Sequence, residues 1–297
     1  MPQNLNSKSY LAVVAISTLS MFHVGSGVAQ EIQVFATHDE ANTATVETQP
    51  YSEIIAALTI EERGRSLIAF DIARAEARPF FQQYVDYLAA IPVETLNRNE
   101  QLAYWLNTRN VLLIQALAEE RRVSRFKRKR GTPDDPGAFW TDNRITVSGI
   151  SLSLQDIEEN ILFAGWDDPN LIFGLYQAME GGPTLPREPY SGDRVTEQLA
   201  EAGRTFVASP RNLRVRGNYV RITTYFDWYS NFAYGGDETE MRQHLSSLVR
   251  EDQKAVVRTD GKVSRRDLST SFEQFRTRQV GAGVGSGGSR PPVGAGS

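Results

Sequence analysis

The chain has 297 residues, 40% of them hydrophobic, with 32 Lys and Arg against 36 Asp and Glu, three His and no Cys. Such a composition supports a buried core and a soluble globular class. The missing cysteine excludes disulfides, thiol catalysis and thiolate metal sites, and the mildly acidic balance argues against a general nucleic-acid binder, which needs a strongly basic face.

The first thirty residues carry one charge, Lys8, and an apolar run from Tyr10 to Phe22 follows it, interrupted by small hydroxyl residues. Gly27-Val28-Ala29 then places small residues where a signal peptidase cleaves, so residues 1–29 are expected to be a secretory signal peptide. An apolar run of about thirteen residues is short for a bilayer span, which needs about twenty. Losing Lys8 takes the formal net charge from −4 to −5 (−4 − 1). His38 and His244 remain, too far apart in sequence to suggest a zinc site. The mature protein is therefore expected to be secreted or periplasmic, without a membrane-spanning segment, metal or cofactor.

Residues 30–50 are polar and aperiodic and read as a disordered linker. Residues 51–278 read as one globular domain, and 279–297 as a glycine-rich disordered tail. Within the domain, Ser52 is expected to cap a short helix over 53–58, and Leu67-Ile68-Ala69-Phe70 to form a strand. After Pro79, the recurrence of Phe80, Tyr84, Tyr87 and Leu88 predicts a helix. Asn97 and Glu100 resemble a capping box, and Leu102, Leu106, Leu113 and Leu117 then hold one face of a helix to about residue 120. The Ser148-Gly149 turn predicts a hairpin pairing Val147 with Ile150 and Ile145 with Leu152. The Gly217-Asn218 turn predicts a second, pairing Val215 with Val220 and Leu213 with Ile222, with Arg214, Arg216 and Arg221 on its other face. Further helices are expected over 154–164, 170–179, 194–207, 225–234 and 238–250. Helices outnumber strands without βαβ alternation, so the fold class is α+β, a helix-rich single domain with short β-hairpins.

Several residue groups could carry chemistry. Asn107 and Asn110 stand three apart in the most apolar helix, and a buried amide needs partners; they are expected to clamp a neighbouring loop or to bind a ligand. Glu158 falls at the edge of the face formed by Leu154, Ile157 and Ile161, where a carboxylate is either paired or has a raised pKa. Glu159 points further round, so the two do not form an acid/base pair by spacing. Arg125, Lys127, Arg128, Lys129 and Arg130 sit in a basic run that is either a solvated surface or a patch for an anionic polymer. In Phe226-Asp227-Trp228-Tyr229-Ser230-Asn231-Phe232, the residues Phe226, Tyr229, Phe232 and Ala233 read as core. Asp227 and Trp228 are left for an interface or cleft.

Three segments together resemble the domain of unknown function 547 family: Gln101–Asn110, Gly149–Glu158 and Phe226–Phe232, a likeness spanning roughly residues 53–250. That family's pattern joins a Trp-x-Asn-x-x-Asn helix, an Ile-Glu-His helix, a His-Phe-Ala-Leu segment and a Ser-Cys-Pro loop. Asn107, Asn110 and Glu158 match it. Glu159 stands where the first histidine would be, Ile172 where the second would be and Gly182 where the cysteine would be. A cysteine with two histidines implies a thiol-based site, and if so this chain has lost all three parts. The resemblance thus implies a non-catalytic binding or interaction module with an emptied site at Ile172 and Gly182. The alternatives are a carboxylate-dependent hydrolase using Glu158 or Glu159, and an anionic-polymer binder acting through the basic run.

Overall fold

A computed structural model describes residues 31–62, 65–68, 78–119, 131–132, 135–179 and 181–266. Its principal helices are α1 (Gln49–Leu58), α2 (Arg78–Ala89), α3 (Arg98–Glu119), α4 (Val195–Ala208) and α5 (Glu238–Leu248). Shorter helical pieces include a wide-turn π-helix over Asp156–Phe163. The strands are β1 (Thr59–Glu62), β2 (Arg65–Ile68), β3 (Gly131–Thr132), β4 (Asp135–Pro136), β5 (Asn143–Val147), β6 (Ile150–Ser153), β7 (Leu213–Arg216), β8 (Tyr219–Thr223) and β9 (Lys262–Arg266). Three antiparallel pairs and one three-stranded sheet, in the order β7-β8-β9, make this a helix-rich α+β fold. No helix among the described residues is long and apolar enough to cross a membrane.

The organising element is α3. Asn97 caps it, its Oδ1 accepting from the Glu100 amide at 3.0 Å. The reciprocal half of the expected box does not form, because Glu100 accepts instead from the amides of Val46 (2.7 Å) and Gly192 (3.1 Å). The helix is not amphipathic as its leucine stripe suggests. Every residue from Glu100 to Ile114 is buried, including Gln101, Asn107, Arg109 and Asn110. A helix enclosed on all sides cannot leave its polar groups to water, and the charged and amide side chains find internal partners, although Trp105 Nε1 and Thr108 Oγ1 are buried without one.

Both hairpins adopt the expected registers, Val147↔Ile150 with Ile145↔Leu152, and Val215↔Val220 with Leu213↔Ile222. Ser148 and Gly149 both take positive φ, 49° and 83°, as a two-residue turn matched to strand twist requires. One pairing departs from the hairpin pattern without making the fold an alternating βαβ one. Strand β9 pairs in parallel with β8, and the chain between them crosses over through helices that include α5.

Other expectations need correction. Residues 31–50 are not a disordered linker. Ile32, Phe35 and Val46 are buried, the Phe35 ring meets Trp105 edge-on at 5.0 Å, and the Asp39 amide donates to the Leu96 carbonyl. Ser52 does not cap α1, which begins at Gln49 with Pro50 in its first turn; the Ser52 hydroxyl bonds back to the Thr48 carbonyl. In α2 the buried stripe is Phe81, Tyr84, Val85 and Leu88, whereas Phe80 is 63% exposed. Adjacent phenylalanines cannot both face the core, and the fuller i, i+3, i+4, i+7 set wins. The expected helix 170–179 is helical only over Leu171–Gly174. That over 225–234 breaks at Tyr229 into Tyr225–Trp228 and Ser230–Tyr234, which leaves Phe232 40% exposed. Ala69, Phe70, the basic run 121–130 and the ends of the chain lie outside the described residues.

Candidate functional site

The short helix carrying Glu158 starts on a reciprocal cap. Ser153 Oγ donates to Asp156 Oδ2 at 2.6 Å, Asp156 Oδ2 accepts from the Ser153 amide at 3.0 Å, and the Asp156 amide donates back to Ser153 Oγ at 3.1 Å. This fixes the entry of the helix from β6 and turns Ile157, Ile161 and Leu162 into the core. Glu158 lies with them, only 6% exposed.

Its partner is Arg109, fully buried on α3. Arg109 Nε donates to Glu158 Oε1 at 2.7 Å, and Nη2 stands 2.6 Å from the same oxygen, off the hydrogen-bonding direction. The remaining guanidinium nitrogen, Nη1, donates to Asn110 Oδ1 at 3.0 Å and to the Tyr176 carbonyl. The other carboxylate oxygen of Glu158 accepts from the Tyr229 hydroxyl at 3.2 Å, which in turn accepts from Gln177 Nε2 at 2.8 Å. One connected network therefore runs from α3 through Glu158 and Tyr229 to the loop after Gly174.

That loop contains Gly182, and Gln177 explains the glycine. A Cβ at residue 182 would fall 2.8 Å from Gln177 Cβ, closer than side chains pack. The Gly182 amide donates to the Met179 carbonyl at 3.0 Å, closing the turn, and Ala178 just before it takes φ 51°. Gly181, Gly182 and Pro183 are all buried. Ile172 is fully buried nearby in the chain, its carbonyl accepting from the Tyr225 hydroxyl at 2.6 Å, and the Tyr225 ring lies 5.1 Å from that of Tyr229.

The two asparagines on α3 are backbone clamps. Asn107 donates to the Tyr190 carbonyl (2.8 Å) and accepts from the Tyr190 amide (2.9 Å). Asn110 donates to the Gly174 carbonyl (3.0 Å) and accepts from the Tyr176 amide (3.2 Å). All amide groups that hold the loops are satisfied by main chain, which is the clamp reading of these residues.

Glu159 behaves differently from its neighbour. It is half-buried and accepts from Gln155 Nε2 at 3.0 Å; its pKa is raised, chiefly by burial, with the nearby Glu158 and Asp156 adding to the effect. Asp227 is exposed and pairs with Arg265 at 2.8 Å, and Trp228 is half-buried. His244 lies on α5, its Nδ1 3.1 Å from the Tyr234 hydroxyl and its Nε2 3.0 Å from Asn170 Oδ1. Ser191 Oγ donates to Asp193 at 2.5 Å. Neither is bonded to the other, so no serine–histidine pair forms between them.

Sequence reasoning missed Arg109, Gln177 and Tyr229 as members of the network. An arginine between Asn107 and Asn110 in the most apolar helix was the available signal, since a cation enclosed there demands a carboxylate. Two pockets open elsewhere on the described surface. One of about 350 Å³ is lined by Phe163–Pro169, Phe232 and Ala233. Another, of about 580 Å³, lies between α1 and α2 beside Phe80. Among the described residues, no group of three or more His, Asp or Glu side chains converges as a metal would require.

Residues 93–207 match the model of the family described as "Protein of unknown function, DUF547". The matched segment holds Asn107, Asn110, Glu158, Glu159, Ile172 and Gly182, and stops short of Phe226–Phe232. No curated protein matches the chain, and no solved structure does.

Proposed function

We propose, from the membership of residues 93–207 in the DUF547 family, that this is an exported, non-catalytic binding or interaction module in which the family's polar site has become structural. One observation carries the reading. At Gly182, where the family has its cysteine, the space a side chain would occupy is taken by Gln177, whose amide is bonded into the Tyr229–Glu158–Arg109 network. A nucleophile at that position would need both a side chain and a base within hydrogen-bond reach. Here the glycine offers no side chain, the matching histidine positions hold Glu159 and Ile172, and Glu158 is balanced in place by a buried guanidinium. Such an arrangement holds a fold together; it does not present a reactive group to a substrate.

The second reading, a carboxylate-dependent hydrolase, is favoured by Glu159 alone. A half-buried carboxyl whose pKa is raised by burial is suited to general acid catalysis. Assays of the secreted chain against peptide, ester and amide panels separate the two. The binding-module reading expects no turnover above background. Turnover abolished by Glu159→Gln, in a variant that stays folded, would establish the hydrolase instead. Export is checked on the same material: intact mass should correspond to a chain beginning at Gln30, and full-length protein in a membrane fraction would reject cleavage.

A further inference from the structure

The three-stranded sheet has two faces of opposite character. Leu213, Val220 and Ile222 turn inward and are buried, with Val215 and Val263 packed beside them. Strand alternation puts Arg214 and Arg216 on the other side of β7, and Tyr219 and Arg221 on the other side of β8. The antiparallel register sets Arg214 opposite Arg221 and Arg216 opposite Tyr219. The parallel register adds Lys262 beside Tyr219 and Ser264 beside Arg221. One outward face therefore carries Arg214, Arg216, Arg221 and Lys262 around an exposed tyrosine, without an acidic residue on the strands that form it.

Two features set this apart from ordinary surface charge. First, like charges directly opposite one another in a strand pair destabilise the pairing, yet Arg214 and Arg221 are so placed. Second, among the described residues none of the four cations has a carboxylate within ion-pair distance. Arg265, which sits one position along β9 and so on the opposite face, pairs with both Asp227 (2.8 Å) and Glu238 (3.0 Å). An unpaired cationic face on a chain of net charge −4 is an anion-binding surface in electrostatic terms.

We propose that this sheet face binds an acidic polysaccharide, a linear polymer whose carboxylates or sulfates run across the strands. Arg214 and Arg221 stand on neighbouring strands about 4.8 Å apart, Arg214 and Arg216 about 6.7 Å apart along β7, and Arg216 and Lys262 flank Tyr219 from strands about 9.6 Å apart, a spread of positive charge that a repeating polyanion can follow. Tyr219, 53% exposed with Lys262 Nζ 6.0 Å from its ring centroid, supplies a flat apolar platform on which a sugar ring can rest between charge contacts. A single aromatic is too few for the successive base stacking that single-stranded nucleic acid uses. A membrane-surface site would need several inserted apolar side chains, and this face offers one ring. The inference goes beyond the reading of the family site and stands on a different surface.

The test is retention of the full secreted chain on immobilised polygalacturonate at low salt, with the neutral methyl-esterified polymer as control. Wild type should bind the acidic form only and elute as salt rises. Arg216→Glu/Lys262→Glu should weaken binding about ten-fold or more with an unchanged thermal midpoint, and Arg216→Gln/Lys262→Gln, which adds no charge, should weaken it in the same direction. Neutralising Arg128, Lys129 and Arg130 should leave binding in place. Equal binding by wild type and the sheet variants overturns the proposal, and so does a loss confined to the 128–130 variant. Tighter binding to single-stranded nucleic acid or to anionic phospholipid vesicles than to the polysaccharide overturns it as well. None of these outcomes bears on turnover at Glu159, so failure here is distinguishable from failure of the family-site reading.

Discussion

Arginine plays two opposite parts in this molecule. Arg109, enclosed on α3, directs its guanidinium nitrogens at Glu158, Asn110 and the Tyr176 carbonyl. Arg214, Arg216 and Arg221, on the outer face of the β7-β8-β9 sheet, have no carboxylate beside them among the described residues, and two of them oppose each other across the strands. The contrast separates charge that builds a fold from charge that faces outward. A buried cation is tolerable only when it is paired and hydrogen-bonded, because desolvation costs several kcal/mol per ion. An outward cation can remain unpaired because water and salt screen it.

The largest effect that could break this contrast is expected from Arg109→Ala. It leaves Glu158 buried without a counter-charge and should cost about 3–5 kcal/mol, read as a fall in denaturant midpoint. The double change Arg109→Met/Glu158→Leu should recover part of that loss; no coupling between the two would mean that the pair does not act as one unit. Next, Asn107→Ala and Asn110→Ala should each cost about 1–3 kcal/mol by orphaning main-chain groups at Tyr190 and at Gly174 and Tyr176. Midpoints unchanged in both variants would place these side chains in solvent.

A smaller, pH-dependent effect is expected at His244. Burial depresses its pKa from near 6.5 to about 4, with the Asp168 carboxylate opposing. Because the folded pKa is the lower one, the fold favours the neutral ring. The associated stability is fully present above about pH 6.5 and is lost as pH falls through that value toward 4. Denaturant midpoints measured from pH 7 to pH 4 should therefore fall less steeply for His244→Gln than for wild type. Identical profiles would assign the acid sensitivity elsewhere. The smallest effect is on the sheet: Arg221→Thr removes a like-charge cross-strand pair and should stabilise by a few tenths of a kcal/mol. A loss of stability there would show that the arginine is a structural group after all.

Local chemistry was legible in the sequence wherever a few adjacent residues determine the geometry. The Ser148-Gly149 and Gly217-Asn218 turns specify register directly, because a two-residue loop leaves the flanking strands one way to pair. The clamps at Asn107 and Asn110 were legible for the same reason, a polar group with a demand that its neighbours reveal. What was not legible depended on distant partners. The polar stretch 31–50 looks uncommitted until Phe35 meets Trp105 and Val46 meets Glu100. Strand β9 has no turn to announce it, since its partner β8 lies across a helical crossover. Gln177 looked like one residue of an expected helix over 170–179, and its position against Gly182 comes instead from a loop that Asn110 fastens.

The bonds that satisfy α3 also set an order in time. Glu100, Asn107, Asn110 and Arg109 reach partners 92, 83, 64 and 67 residues further along the chain, at Gly192, Tyr190, Gly174 and Tyr176. Arg109 meets its counter-charge in Glu158, 49 residues further on, and loop closure over such distances is slow. The partners of these four α3 side chains are complete only once the chain through Gly192 has been made, and the network around Glu158 only once Tyr229 has been added. Before that point, this enclosed helix can pack only on the segments that precede it, such as Phe35 and α2.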